Sequence, residues 1–348
     1  MSGMARPKGT LSTLYAGNRH VFRLVAVILA WMVFMALTRF EKFYTLINFQ
    51  TMASQFPEFG LMALGVMLCM VTGGIDLSTV GIANLAAILT AFFLKAVALP
   101  DGGLPAYAIP AAFALAMAVG AVLGVFNGLL VSKVRIPPIL ATLGASELFT
   151  GVAIVLTNGN AVSKLPIGYA TAINSKVLGN LIPVQLIVFT AVALVIWFLL
   201  NRTTYGVKIY LLGTNATAAR FSGLSNDRLL VKTYMLSGIC AALGGMIMLA
   251  NYNSARANYG SVYVLQCILI VVLGGVSPAG GKGRISGVVL AIFLLRLLET
   301  GINRFPQISS YYISLIWGGV LLLVMVLDYF SDYSAGRRLK RRPAAPAP

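Results

Sequence analysis

Few side chains in this sequence could do chemistry, and they are scattered. Four ionisable residues lie within or close to apolar runs: Asp76, Glu147, Arg296 and Glu299. A charge surrounded by apolar residues costs free energy, so each raises a functional hypothesis by default. Asp76 sits where a helix would begin, and an N-cap is the preferred reading over contact with a solute. Arg296 and Glu299 are three apart on one helix and can neutralise each other, which makes a structural pair the preferred reading. Glu147 has no partner nearby in sequence and follows Thr142 and Ser146 in the same run. These three are the candidates for lining a polar path, against the plainer alternative of a hydrogen bond to a neighbouring helix. Thr142 and Ser146 share a helix face, whereas Glu147 lies about 100° round from Ser146.

Several chemistries are disfavoured at once. His20 is the only histidine, which leaves almost no room for a histidine-based metal site or triad. Cys69, Cys240 and Cys267 stand singly inside apolar runs, without metal-ligand spacing, and read as small core residues. The glycine-rich stretch Gly275–Gly283 is like a phosphate-binding loop by eye. It fails the G-x-x-x-x-G-K-[ST] spacing, lacks Ser or Thr after Lys282, and follows no strand. No paired carboxylates or Ser–Lys pair is placed for an intramembrane enzyme. The expectation is a chain without catalytic residues, metal or bound cofactor.

The elements that hold these residues are apolar spans. Apolar residues make up 59% of the 348 and charged residues only 10%, far from the balance of soluble domains. With a mean hydropathy of +0.88, the fold class is an all-α polytopic membrane protein. The net charge of +17 does not point to nucleic acid, because the basic residues sit at the ends of apolar runs and not in one stripe. Ten runs can be marked, namely 24–38, 56–72, 79–99, 107–132, 139–157, 184–200, 233–250, 261–273, 285–301 and 311–327. Segment 1–20 precedes this transmembrane domain of 21–330, and a basic tail, 331–348, follows it. The fourth run repeats G-x-x-x-G at Gly120, Gly124 and Gly128, a pattern for close helix contact. Structural bends are expected at Gly73, Gly74 and Asp76, and at Gly274 and Gly275. The similar stretches Val71–Asp76 and Val272–Ser277 hint at duplicated halves. Residues 158–183 are mixed and read as an outer loop with a short surface helix.

The longest basic interruption, 202–232, reads as a small folded unit. Gly213 is expected to end one segment in a left-handed conformation, with Thr214 or Asn215 capping a helix over Ala216–Phe221 and Gly223 stopping it. Ala218, Ala219 and Phe221 leave that helix an apolar side flanked by basic residues, which suits docking to a protein. Ten spans place both termini on one side. Eighteen of the 26 basic residues then fall on that side, which the positive-inside rule makes cytoplasmic.

Taken together, GGIDLS at Gly73–Ser78, VRIPPILATLG at Val134–Gly144, GTNATAARFSGL at Gly213–Leu224 and LGGVSPAGGKG at Leu273–Gly283 resemble the signatures of a family. It is the integral-membrane permease subunits of bacterial ABC importers, in the ribose/xylose/galactose branch. The resemblance covers about 60–328, and the third and fourth stretches are its most specific parts. One departure is that Thr79 intervenes before Gly81, where the family usually reads D-L-S-V-G.

This resemblance implies a type II ABC importer-like permease in the bacterial inner membrane, paired with a second copy or a paralogue. ATP–Mg would bind a partner ATPase, and a periplasmic solute-binding protein would deliver a monosaccharide. Loop 202–232 would carry the coupling helix. The matching ATPase-coupling positions are Gly213, Asn215, Ala218, Ala219, Arg220, Ser222 and Gly223, and the apolar reading of the loop adds Phe221. Kept open are an ABC permease for branched-chain amino acids or nucleosides and, less favoured, an ion-coupled secondary carrier.

Overall fold

A computed structural model describes residues 19–307 except 101, with isolated positions between 312 and 326. The described residues are mostly helical. Helix α1 (Arg19–Phe43) is joined through Tyr44 and Thr45 to α2 (Leu46–Val71), followed by α3 (Thr79–Ala96), α4 (Ala108–Ser132) and α5 (Pro138–Thr157). A short helix α6 (Ile167–Ile173) and a two-stranded ribbon, β1 (Lys176–Val177) with β2 (Ile182–Pro183), precede α7 (Val184–Arg202). Then come α8 (Thr204–Thr214), α9 (Ala216–Phe221), α10 (Asn226–Tyr252), α11 (Tyr263–Leu273) and α12 (Ile285–Ile302).

Among the described residues, eight helices are long and apolar enough to cross a membrane: α1 to α5, α7, α10 and α12. The expected eighth run is α11, whose 11 residues reach only about 16 Å, short of the ~30 Å hydrocarbon core. The expected tenth run and the basic tail lie outside the described residues, apart from those isolated positions.

Two spans begin well before the positions hydropathy suggests. Helix α2 starts at Leu46 and runs straight through Pro57, because Thr45 caps it by accepting a hydrogen bond from the Asn48 amide (3.2 Å). Its first turns are polar, yet those side chains bind the chain itself. Asn48 donates to the Phe43 carbonyl (2.8 Å) and Gln50 to that of Asn180 (2.7 Å). Proline is tolerated inside a membrane helix where neighbouring groups satisfy the freed carbonyl. Helix α10 likewise starts at Asn226, seven residues before the apolar run.

Helices α2 and α10 are the axis of the core, buried along most of their apolar stretches and exposed at their ends. Glycines set the spacing around them. A Cβ on Gly124 would overlap the Tyr234 carbonyl oxygen, one on Gly128 would lie 2.6 Å from Val231 Cα, and Gly120 meets the Gly238 backbone. The G-x-x-x-G face of α4 is therefore the seam with α10, as the sequence pattern implies. Ser237 fits against Gly65 of α2, and Ala83 of α3 against Gly245. Helix α6 lies partly inward: Tyr169 is fully buried and donates to the Met246 carbonyl (2.8 Å).

Candidate docking and pathway surfaces

Loop 202–232 folds as two short helices with well-formed ends. Asn215 caps α9 through its side-chain oxygen, which accepts from the Ala218 amide (2.9 Å). The C-terminus is a Schellman motif. Leu224 N–H bonds the Ala219 carbonyl (3.1 Å), Gly223 N–H bonds that of Arg220 (3.0 Å), and Gly223 takes φ +81. Asn226 Nδ2 closes the unit by donating to the Ala216 carbonyl (2.8 Å). Together these fixings give a six-residue helix a defined shape in spite of its length.

Its faces differ from the expected ones in two ways. Phe221 is 89% exposed, and Ala218, Arg220 and Ser222 are exposed with it, whereas Ala219 is buried at 5%. Ala219 thus belongs to the packing of the loop and not to its outer surface, so a bulky charge there would disturb the loop first. Gly213, expected to be left-handed, is instead inside α8, which continues to Thr214. The absence of a side chain there serves close approach. A Cβ would overlap the Val71 carbonyl oxygen and come within 2.5 Å of the Gly281 amide.

That contact joins three segments far apart in sequence. Gly281 N–H donates to the Val71 carbonyl (2.8 Å), and Tyr210 Oη donates to the Gly283 carbonyl (2.8 Å). A Cβ on Gly280 would stand 2.8 Å from both Gly213 O and Gly73 N. The end of α8 is therefore wedged between the α2–α3 linker and the α11–α12 linker. Burial at this junction pushes the Tyr210 hydroxyl up from its ordinary pKa, with Arg284 pulling it back down.

Both linkers begin alike. Helix α2 ends in a Schellman motif with Gly73 at φ +85 (Gly74 N to Cys69 O, 3.1 Å). Helix α11 ends in one with Gly275 at φ +83 (Val276 N to Val271 O, 3.1 Å). The echo in sequence is thus an echo in geometry, with the left-handed position moved from the first glycine of the pair to the second.

Asp76 makes more contacts than a helix cap would. One carboxylate oxygen accepts from Ser78 N (3.0 Å) and Ser78 Oγ (2.6 Å), and the other from Ser237 Oγ of α10 (2.7 Å). Asn127 of α4 donates to Ser78 Oγ (2.6 Å), so one buried network ties the linker to two helices. Arg296 and Glu299 form the expected pair at 2.9 Å.

The three pathway candidates separate. Thr142 is fully buried, and its hydroxyl is used on the linker, accepting from Leu77 N (3.1 Å) and donating towards the carbonyls of Pro138 (2.8 Å) and Ile75 (3.0 Å). Ser146 is half-buried where α5 meets Gly81. Glu147 is exposed on the outer face of α5. It shares that face with Leu140 (62% exposed), Leu143 (48%) and Gly151, around which nothing else of this chain lies within 4 Å.

Sequence reasoning missed Glu58. It is buried in α2, accepting from Tyr263 Oη and from Asn251 Nδ2 (3.1 Å). Starting the span near Pro57 put this carboxylate at a surface. The signal that would have found it is the Thr45 cap thirteen residues before Glu58.

Membrane-crossing helices packed about α2 and α10, with the capped hairpin of α8 and α9 between two of the spans, are the frame of a polytopic membrane protein. Residues 48–325 match the family described as branched-chain amino acid transport system / permease component, and the chain belongs to that family. Among curated relatives, the ribose import permease protein RbsC of Escherichia coli K12 is 34% identical over 82% of this chain and 87% of its own. The D-allose transport system permease protein AlsC of the same strain is 31% identical, covering 88% and 90%. The autoinducer 2 import system permease protein LsrD of Yersinia enterocolitica is 32% identical, covering 78% and 81%. No solved structure matches the chain.

Proposed function

We propose that this chain is the membrane-spanning subunit of an ATP-driven, binding-protein-dependent importer whose solute is a monosaccharide or a similar small polar molecule. The relatives named for ribose, D-allose and galactose support the sugar class. The family description would also suit branched-chain amino acids, but its wording is broader than those relatives. The observation that carries the coupling half of the reading is α9, a helix fixed at both ends that leaves Phe221 89% exposed. An apolar ring held out on a rigid, basic-flanked hairpin suits a cleft on an ATPase. Two binding cleft-bearing ATPases would act on two permease copies, or on this chain and a paralogue.

Pairing also accounts for Glu147. A carboxylate facing acyl chains is costly, so the face of α5 that carries it is better covered by a partner copy and a hydrated path between them. Ser146 stands beside that path. Thr142 supports it from behind by fixing the 75–77 linker.

The test is accessibility. Thr217→Cys, on a background lacking Cys69, Cys240 and Cys267, should resist an impermeant thiol reagent in intact spheroplasts. In inverted vesicles it should react, and bound ATPase should protect it. Ready labelling in intact spheroplasts would place the hairpin on the wrong side of the membrane for ATP-driven coupling.

A further inference from the structure

A cavity of about 290 Å³ opens where α4 ends and α10 begins, lined by Lys133, Arg135, Arg220, Asn226, Asp227 and Arg228 among others. Four cations face one carboxylate, and that carboxylate is taken: Asp227 pairs with Lys133 at 3.0 Å. Among the described residues, no carboxylate lies within salt-bridge range of the guanidinium groups of Arg135, Arg220 and Arg228. Arg135 is held at φ +63, a left-handed conformation uncommon for its type, in the turn that presents it. Clustered guanidinium forks with unused donors match the oxygens of a phosphate.

A second feature points to where that phosphate comes from. Val122 (67% exposed), Phe126 (39%) and Leu129 (43%) lie on α4 at spacings of four and three, and Lys133 follows four residues on. At 100° per residue all four fall within about 60° of one another, so an exposed apolar stripe runs down the helix and ends on the cavity. The docking ring Phe221 lines a different cavity, of about 610 Å³, with Ala216, Thr217, Arg220 and Asn226. Arg220 and Asn226 line both cavities, and the basic one adds Lys133, Arg135 and Arg228 from the ends of the spans.

We infer that the cavity is a binding site for an anionic phospholipid. The headgroup phosphate is held by Arg135, Arg220 and Arg228, and an acyl chain lies along the Val122–Phe126–Leu129 stripe. Basic pockets between membrane helices at the ends of spans favour such headgroups. Because Arg220 belongs to α9, the lipid would brace the docking hairpin against α4. This inference requires only that the chain spans the membrane and does not depend on the transported solute; Arg220 is shared with the ATPase-coupling reading, so lipid retention and ATPase binding are measured side by side.

Native mass spectrometry of the chain in neutral detergent, with phosphatidylglycerol or phosphatidylcholine added, tests it. Phosphatidylglycerol should be retained in preference. Each cation near the surface is worth about fivefold in anionic-lipid affinity, so Arg135→Asn with Arg228→Gln should lower retention by about 25-fold. Asparagine is chosen because it accepts a left-handed conformation. Lys208→Gln, an exposed charge on α8 outside the cavity, should change nothing. Should the double variant unfold, Arg220→Gln alone, on the exposed hairpin, should still cost about fivefold. Unaltered phosphatidylglycerol retention in the folded variants would overturn the site. So would glycerol 3-phosphate occupying it as tightly as the lipid, since the acyl chain would then be idle. Loss of ATPase binding with lipid retention unchanged would overturn it too, and assign the cations to the partner.

Discussion

Phe221→Ala tests the docking surface with a magnitude that the structure supplies. The ring is 89% exposed in the chain alone, so truncating it removes almost no packing within the protein. Its own stability should change by no more than about 0.5 kcal/mol, as for other exposed substitutions. Seated in a cleft, the same ring would leave water almost entirely, and full burial of such a side chain is worth about 1.5–3 kcal/mol. A loss of ~2 kcal/mol corresponds to about 30-fold weaker association with the ATPase. The assay is binding of purified ATPase to the chain in lipid nanodiscs, with the melting temperature as a control and uptake in cells as a second readout. Ala219→Glu supplies the contrast, because its target is buried and should lower the melting temperature as well as the affinity. An ATPase affinity for Phe221→Ala within twofold of the natural chain would refute the reasoning that this ring is the anchor.

Three further outcomes follow from the packing. Gly124→Val drives a side chain into the Tyr234 carbonyl and Met235 Cα. It should destabilise the α4–α10 seam by about 1–3 kcal/mol or more, seen as a lower melting temperature in lipid. Gly213→Ala pushes the end of α8 off Val71 and Gly281; ATPase binding should persist while uptake falls sharply, and unchanged uptake would mean the junction transmits nothing. Glu147→Gln keeps the shape of an exposed side chain, so uptake should drop with the amount of protein in the membrane unchanged. Loss of the folded protein instead would make Glu147 a structural group.

Much of the architecture was legible because lipid simplifies the code. Apolar runs, their glycine faces and the basic residues at their ends marked most spans. Gly120, Gly124 and Gly128 even named the close seam between α4 and α10. What stayed hidden involved residues whose partners are distant in sequence. The start of α2 was obscured because Asn48 and Gln50 are polar but satisfied by the chain, and Glu58 went unseen with it. Gly213 looked like a turn glycine, since nothing local reveals that Val71 and Gly281 press against it. The caps of α9, by contrast, rest on contacts within three to five residues, which is why Asn215 and Gly223 were found and the inward turn of Ala219 was not. Thr142 and Glu147 share a run, yet only the fold shows that one faces the linker and the other the outside.

The central question for this protein is whether solute movement through it is powered by ATP. The direct measurement is uptake of labelled ribose, allose and galactose into vesicles containing the chain, with and without its ATPase and binding protein. Accumulation of one of these sugars should require all three proteins and ATP, and should vanish when any one is omitted. Accumulation in vesicles that lack the ATPase, driven by a proton or sodium gradient, would contradict it.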